Sequence, residues 1–276
     1  MRAAVDFGLT NIDVVLRIAQ TGELRFFMRP GVPVLSSIQL DNVVQSMGYA
    51  MADFEFIAVT GGQHRKLPDQ IAGTPIVKVG EVAAIGRGGL HLAGASEALV
   101  VSAGSGTAMI AARGPEAHHV TGSAVGGGTL LGLGKLLVGT CDPWEIDALA
   151  ARGDSNAADL TLMEATGGVL GRLPAEANAV NFGRLARPGT QVTREDVAAA
   201  LVVMVGQVIA VIAINAARAE GLRDIVVVGH LVDLPTVRNV LRSVAGYYGA
   251  AITVPPTPGD ATAIGALIAA EEGRAR

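Results

Sequence analysis

Short apolar runs separated by glycine turns open the chain, and this spacing predicts a β-meander followed by mixed strands and helices. The predicted elements of this stretch are strands at residues 2–7, 12–18 and 24–28, a helix at 40–47, strands at 56–60 and 77–79, and a helix at 82–91. The last of these helices is predicted despite the glycines within it.

The same order of strands starts again near residue 98. A buried strand at 98–103, a second glycine turn, a strand at 108–112 and a strand at 118–121 follow one another as they do at the amino terminus. A pattern that occurs twice predicts two related α/β halves rather than a solenoid, which needs more repeats.

Helices dominate the remainder of the chain. They are predicted at residues 130–138, 143–152, 157–166, 194–219, 234–247 and 261–272, with strands at 224–228 and 251–254. No disordered linker separates the halves, and we expect the final helix to pack back on the first one. This predicts an N-terminal lobe of residues 1–95 with 261–276, and a C-terminal lobe of residues 96–260.

One segment is so apolar that a membrane-spanning helix has to be considered. Residues 197–214 are almost wholly apolar, interrupted by Gly206 and Gln207. A spanning helix needs about 20 apolar residues and is often flanked by aromatic residues, which are missing here. We expect a helix buried on all sides in a soluble protein, in part by a protein interface, with Thr193 and Asp196 as a capping box at its start.

Composition narrows the possible functions. Half of the residues are hydrophobic and 17% are charged, which excludes intrinsic disorder. Aromatic residues make up 4% and the net charge is −4, so nucleic-acid binding is not expected. Cys141 is the single cysteine, which excludes an internal disulfide and favours the cytoplasm; we expect it to fill a gap in the core. No signal peptide is recognisable.

The first glycine turn suits a phosphate site. Asp6 ends a strand and is followed by Gly8 and Thr10. Backbone N–H groups and the threonine hydroxyl can hold phosphate oxygens, and the carboxylate can hold a water of Mg²⁺. The alternative is an ordinary hairpin that happens to carry these residues.

Two further glycine segments lie in the second half, and the first of them occupies the place that matches the first turn. The turn Gly104, Ser105, Gly106 and Thr107 again joins two buried strands. The glycine run within 122–133 precedes a helix whose first N–H groups can face an anion. Two facing hairpins can hold the phosphates of a nucleotide between two lobes. Neither a Walker A motif nor a complete dinucleotide-binding fingerprint is present.

The order of these motifs resembles the type II pantothenate kinases, which belong to the sugar kinase, heat-shock ATPase and actin (ASKHA) superfamily. The matching segments are Asp6-x-Gly8-x-Thr10, residues 59–62, Glu81 with Ala84, residues 102–107, 120–133, 153–160, 181–183, 227–229 and 259–267. The resemblance implies a two-lobed, actin-like (ribonuclease H-like) α/β fold with duplicated βββαβα halves.

The resemblance also implies ATP- and Mg²⁺-dependent phosphorylation of the pantothenate hydroxyl, the first step of coenzyme A biosynthesis. Glu81 is then the general base, and Asp6 assists catalysis and positions Mg²⁺. Contacts to ATP are implied for Gly8, Thr10, Gly104, Ser105, Gly106, Thr107, Gly126, Gly127, Gly128 and Gly229. A homodimer is implied as well. Without the resemblance, Glu81 is interpreted as a solvated acid at a helix start.

Two positions depart from the family pattern. Leu9 stands where a second glycine is usual, and His119 stands where the family has a substrate-contacting arginine. Histidine is mostly neutral at pH 7, whereas arginine is always charged. By its position His119 is the expected substrate contact, and Arg87 or Arg113 could supply the missing positive charge. The alternative for His118 and His119 is a strand-end pair without a ligand. Two alternatives remain open: an ASKHA kinase or ATPase acting on another small hydroxyl compound, and a catalytically degenerate nucleotide-binding paralogue.

Overall fold

Two large β-sheets with helices on their faces, together with a small two-stranded sheet, form the core of the computed structural model, which describes residues 1–31 and 34–275. In chain order the strands are β1 (Arg2–Phe7), β2 (Asn11–Arg17), β3 (Leu24–Pro30), β4 (Phe56–Gly61), β5 (Gln70–Ile71), β6 (Thr74–Lys78), β7 (Glu97–Ala103), β8 (Thr107–Arg113), β9 (Glu116–Ser123), β10 (Leu160–Thr161), β11 (Asn178–Val180), β12 (Asp224–Val228) and β13 (Ala251–Thr253). The helices are α1 (Ser37–Ser46), α2 (Glu81–Ala93), α3 (Gly127–Leu133), α4 (Pro143–Ala150), α5 (Leu162–Thr166), α6 (Arg194–Ala219), α7 (Pro235–Tyr248) and α8 (Ala261–Ala275).

The two sheets repeat one topology, which confirms the predicted duplication. The first sheet has the order β3-β2-β1-β4-β6-β5, and the second has β9-β8-β7-β12-β13. In each half the first three strands are antiparallel neighbours, and two later strands run parallel to the first. The carboxyl ends of β1 and β4 therefore correspond to those of β7 and β12.

Helices α2 and α8 lie between the two sheets. On the first sheet, α8 packs its apolar residues, among them Ile264 and Leu267, against the face that carries Ala4 and Ala58. On the second sheet, α2 packs Ile85 against the face that carries Val100 and Ile110. The outer faces are covered by α1 on one side and by α3, α4, α6 and α7 on the other. The division into lobes at residue 95 stays a prediction.

Glycines in α2 and α8 allow these two helices to touch through their backbones. A Cβ atom on Gly88 would overlap the carbonyl group of Ala261, and one on Gly265 would overlap that of Ala84. Neither glycine has positive φ, so the requirement is for space. The glycines that weaken the sequence prediction of α2 thus have a packing function.

The sequence prediction is wrong for residues 157–166, which do not form one helix. The Asp154 side chain instead accepts a hydrogen bond from the N–H of Asn156 and begins a 3₁₀ turn. The strand β10 follows and pairs with β11. Thr161 then caps the short helix α5, since its hydroxyl accepts from the N–H of Glu164. Local capping by short polar side chains interrupts the helical period here.

The long helix α6 begins and ends at the residues the sequence predicts, but it is not buried on all sides. Within the described part of the chain it is the one helix long and apolar enough to cross a membrane, and 61% of its apolar window is buried. Val205 and Ile209 are buried, whereas Met204 and Ile212 are only partly covered. Cys141 is exposed, which corrects the expectation that it fills the core.

Candidate active site

Two glycine hairpins, one from each sheet, touch at the cleft between the sheets. The first joins β1 to β2 and the second joins β7 to β8. The hydroxyl oxygens of Thr10 and Ser105 lie 2.7 Å apart, a hydrogen-bond distance. The facing arrangement expected for two phosphate-holding hairpins is therefore present, and a phosphate bound between them would replace this contact.

Gly8 and Leu9 adopt the first hairpin without a left-handed residue. A Cβ atom on Gly8 would come within 2.7 Å of the carbonyl oxygen of Asn11, so a larger residue does not fit. Leu9 does not have positive φ and its side chain is 86% exposed. The leucine that departs from the family pattern is thus accommodated by the backbone and projects away from the core.

The second hairpin packs against the glycine run that precedes α3. The N–H of Gly127 donates to the carbonyl of Gly104 at 2.8 Å, and the N–H of Gly128 donates to that of Ser105 at 2.9 Å. A Cβ atom on Gly126 would lie 2.8 Å from the same Ser105 oxygen. These glycines position the hairpin through their backbones, and their contact with a nucleotide stays a prediction.

Some hydrogen-bond donors of the second hairpin bond within the protein, and others are left for a ligand. The buried hydroxyl of Thr107 donates to the carbonyl of Val125 at 2.9 Å, so it supports the hairpin. The N–H of Gly104 donates across the turn to Gly106. No hydrogen bond within residues 1–31 and 34–275 uses the N–H groups of Ser105 and Gly106. Those two groups are the donors of this turn that can meet a phosphate.

A polar row crosses the first sheet beside the hairpins. Asp13 of β2, Asp6 of β1 and Thr60 of β4 are register partners on one face of three neighbouring strands. The Thr60 hydroxyl is buried and bonds to no other group of the described residues. Burial raises the pKa of Asp6 to about 7, and the negative charges of Asp13 and Glu81 add to this rise.

Glu81 is the first residue of α2, and its side chain is exposed. The strand β6 ends at Lys78. Gly80 has an extended backbone and is the N-cap of α2, so the helix begins at Glu81. The negative charge of Glu81 contributes to the raised pKa of Asp6. The catalytic functions of these two residues stay predictions.

A histidine that sequence reasoning missed links the two sheets. His230 follows β12, and its Nε2 lies 3.0 Å from Oδ1 of Asp13 while its Nδ1 lies 2.8 Å from Oδ2 of Asp233. These hydrogen bonds raise the pKa of His230 to about 10. Burial, followed by the charges of Asp13 and Asp233, raises the pKa of Asp260 to about 6. Sequence signals were available, because Asp13 lies near the first motif and His230 directly follows Gly229.

Gly229 itself lies at the edge of the cleft. Its φ is 99°, and a Cβ atom there would overlap the backbone of Ala103, which precedes the second hairpin. Its N–H donates to the carbonyl of Pro258 at 2.8 Å. Gly61 is its counterpart in the first half and also has positive φ. Glycine at both positions lets the end of one strand approach its neighbour closely.

Within the described part of the chain, the two residues predicted to contact substrate share no hydrogen bond or ion pair with this group, and the ring of His119 lies beside Gly122. The guanidinium of Arg87 pairs with Glu272 of α8, and Arg87 lies six residues from Glu81, or about 9 Å along α2. His119 is an exposed residue of the edge strand β9. Nε2 of its neighbour His118, also in β9, lies 3.3 Å from Oε1 of Glu220.

The oxygen groups at the carboxyl ends of β1 and β4 fit Mg²⁺. This ion prefers carboxylate and other oxygen ligands and keeps several waters, so one or two protein groups suffice. Asp6 with the unpartnered hydroxyl of Thr60 supplies such a pair. Among the described residues no group of three or more metal-binding side chains occurs.

Similar solved structures share this architecture. The activator of 2-hydroxyisocaproyl-CoA dehydratase from Clostridium difficile, solved with bound ADPNP, aligns with a TM-score of 0.66 at 16% identity over 100% of this chain and 97% of its own. Component A of (R)-2-hydroxyglutaryl-CoA dehydratase from Acidaminococcus fermentans aligns at 0.68 with 15% identity, covering 100% and 99%. A ROK family glucokinase from Streptomyces griseus, bound to glucose and AMPPNP, aligns at 0.59 with 15% identity, covering 99% of each chain. These likenesses establish the fold.

Sequence relatives identify the family. A type II pantothenate kinase from Bacillus cereus (strain G9842) is 24% identical over 219 residues, which cover 77% of this chain and 80% of the relative. The type II pantothenate kinase from Oceanobacillus iheyensis is 26% identical over 200 residues, covering 70% and 73%. The family model described as Fumble matches residues 97–250, more than half of the chain. The chain therefore belongs to the Fumble family of type II pantothenate kinases, and it is a kinase.

Proposed function

We propose that this kinase transfers the γ-phosphoryl group of ATP to the hydroxyl of pantothenate, the first step of coenzyme A biosynthesis. The observation that carries the proposal is the contact between Thr10 and Ser105, which sets two glycine hairpins face to face beside Asp6 and Glu81. Phosphoryl transfer requires positioning and charge stabilisation more than covalent chemistry, and this arrangement supplies both.

In the proposed reaction Glu81 accepts the proton of the acceptor hydroxyl. The hydroxyl oxygen then forms a bond to the γ-phosphorus, the bond from that phosphorus to the bridging oxygen breaks, and ADP leaves. Glu81 suits this function because it is exposed and is held by the start of α2. Bound Mg²⁺ would neutralise phosphate charge, and Asp6 with Thr60 would hold it.

The remaining nucleotide contacts are assigned to the hairpins. The first would hold phosphate through Gly8 and Thr10, and the second through the N–H groups of Ser105 and Gly106, with Gly104 and Thr107 supporting the turn. Residues 126–128 would support the second hairpin beside the nucleotide, and Gly229 would lie near the adenine. Solved neighbours with bound ADPNP or AMPPNP support the use of ATP.

The alternative proposal concerns the compound that accepts the phosphoryl group. Because Arg87 pairs with Glu272, it does not supply the missing cation in this structure, and His119 remains as the assigned substrate contact. The same machinery could then act on another small hydroxyl compound. A paralogue that binds ATP without turnover is the third possibility, against which the joint presence of Asp6 and Glu81 counts.

A substrate panel distinguishes these proposals. Purified protein with MgATP is assayed for ADP release with pantothenate, with pantetheine, with unrelated small hydroxyl compounds, and with no acceptor. We expect ADP release to require pantothenate or pantetheine. Release with another acceptor would contradict the substrate assignment, and ATP binding without any release would contradict the reaction.

The resemblance further supports a cytoplasmic homodimer. The partly covered face of α6 offers apolar side chains such as Met204 and Ile212 for such an interface. Light scattering on the purified protein should then give twice the chain mass of 28.1 kDa. A mass equal to that of one chain at micromolar concentration would contradict it.

A further inference from the structure

His230 joins carboxylates from both halves of the molecule through both nitrogens of its ring. Asp13 lies on the first sheet, whereas Asp233 follows His230 by three residues in the second half. A carboxylate only accepts hydrogen bonds, so each ring nitrogen that faces one must carry a hydrogen. The geometry therefore describes an imidazolium ion between two carboxylates.

Several contacts hold this ring in place. Gly259 packs against it, and a Cβ atom at that position would overlap the imidazole. The guanidinium of Arg238 lies 3.9 Å from Asp233, which fixes the second carboxylate. Asp13 is 5% exposed and His230 is 32% exposed. The imidazole ring is thus held between two carboxylates and packed against the backbone.

The charge of Asp13 has a consequence for the neighbouring site. Asp13 is the register partner of Asp6 on the adjacent antiparallel strand, where Cβ atoms lie about 4.5–5.5 Å apart. A buried carboxylate left without its partner would repel the phosphates of ATP and would compete with Asp6 for a cation. His230 is the cation that hydrogen-bonds to Asp13.

We propose that His230 is a positioning residue for MgATP: acting through Asp13, it compensates the charge of that carboxylate and joins the amino-terminal part of β2 to the carboxyl end of β12. The phosphate site then presents Asp6 as its free carboxylate. The inference rests on the proposed function to the extent that MgATP is the ligand, but it does not depend on which compound accepts the phosphoryl group.

The test compares His230→Gln, Asp13→Asn, and the double variant with the wild type. Affinity for MgATP is measured by calorimetry without an acceptor, and KM and kcat are measured with the best acceptor. We expect His230→Gln to weaken MgATP binding and raise its KM about tenfold, with kcat changed less than about threefold, since His230 does not touch the reacting atoms. The double variant should recover affinity to within about threefold of the wild type, because the charge of Asp13 is removed together with its partner.

His118→Gln is the matched control, since it removes a histidine paired with a carboxylate far from the hairpins. It should bind MgATP as the wild type does. If His230→Gln fails to fold, Asp233→Asn provides the second variant and should weaken binding in the same direction.

Two outcomes would overturn the inference while leaving the proposed function standing. One is unchanged MgATP affinity in His230→Gln. The other is a double variant as weak as the single one, which would show that His230 acts only by supporting the fold. A wild-type protein that binds no MgATP would contradict the proposed function itself, and the inference with it.

Discussion

At the scale of single residues, the site depends on side chains that meet across strands rather than along the chain. The sequence predicts Asp6 and Glu81 because each lies within a motif. It does not predict that Asp13 and Thr60 flank Asp6, because that requires the register of three strands. For a related reason the sequence does not show that Arg87 pairs with Glu272, because the two residues lie 185 positions apart in the chain.

The orphaned hydroxyl of Thr60 gives the first prediction. Thr60→Val keeps the shape of the side chain and removes a buried polar group without a partner, so the ligand-free protein should be stabilised by about 1 kcal/mol while catalysis falls. Thr107→Val is the matched control, because it breaks the hydrogen bond to Val125 and should destabilise by about 1 kcal/mol. Urea unfolding measures both. A loss of stability in Thr60→Val comparable with that of Thr107→Val would contradict the interpretation of the Thr60 hydroxyl as a buried group without a partner.

At the scale of elements, the crossing of α2 and α8 explains what local propensity does not. Glycines in a helix are unfavourable when considered alone, yet Gly88 and Gly265 allow the two helices that separate the sheets to approach closely. The sequence predicted both helices from their apolar positions. It could not show that they touch, because they are far apart in the chain. The wrong prediction for 157–166 has the opposite cause, since local caps at Asp154 and Thr161 override the helical pattern.

Alanine substitutions test this crossing. Gly265→Ala should destabilise the protein by about 1–3 kcal/mol, because the new methyl group overlaps the backbone of α2. Gly273→Ala in the same helix meets open space and should be neutral or stabilising by up to about 1 kcal/mol. Thermal unfolding of both variants gives the comparison. Equal effects of the two substitutions would mean that the close approach is not required.

At the scale of the whole molecule, duplication creates the cleft. Two copies of one sheet topology place corresponding strand ends, Gly61 in one half and Gly229 in the other, on either side of it. The sequence indicated the duplication through its repeated strand order. The contacts that join the halves, between Thr10 and Ser105 and between Asp13 and His230, are not visible in either repeat alone.

The second of these contacts predicts a pH dependence of stability. The charged groups around His230 are Asp13, Asp233, Asp6 and Asp260, and its pKa is raised to about 10 from an ordinary value of 6.5. Since the folded state holds the proton more tightly, the stabilisation is complete below about pH 6.5 and is lost as the pH rises through about 10. The difference in unfolding free energy between the wild type and His230→Gln should shrink steadily from pH 7 to pH 10. A constant difference over that range would contradict the ion pair.

Transfer of label from [γ-³²P]ATP to pantothenate is the direct test of the proposed reaction and of Glu81 as its base. The wild type should place label in phosphopantothenate, and Glu81→Gln should do so about 10²–10⁴-fold more slowly while binding MgATP normally. Label that stays in ATP or appears only as inorganic phosphate with the wild type would contradict the reaction, and an unimpaired Glu81→Gln would contradict the base.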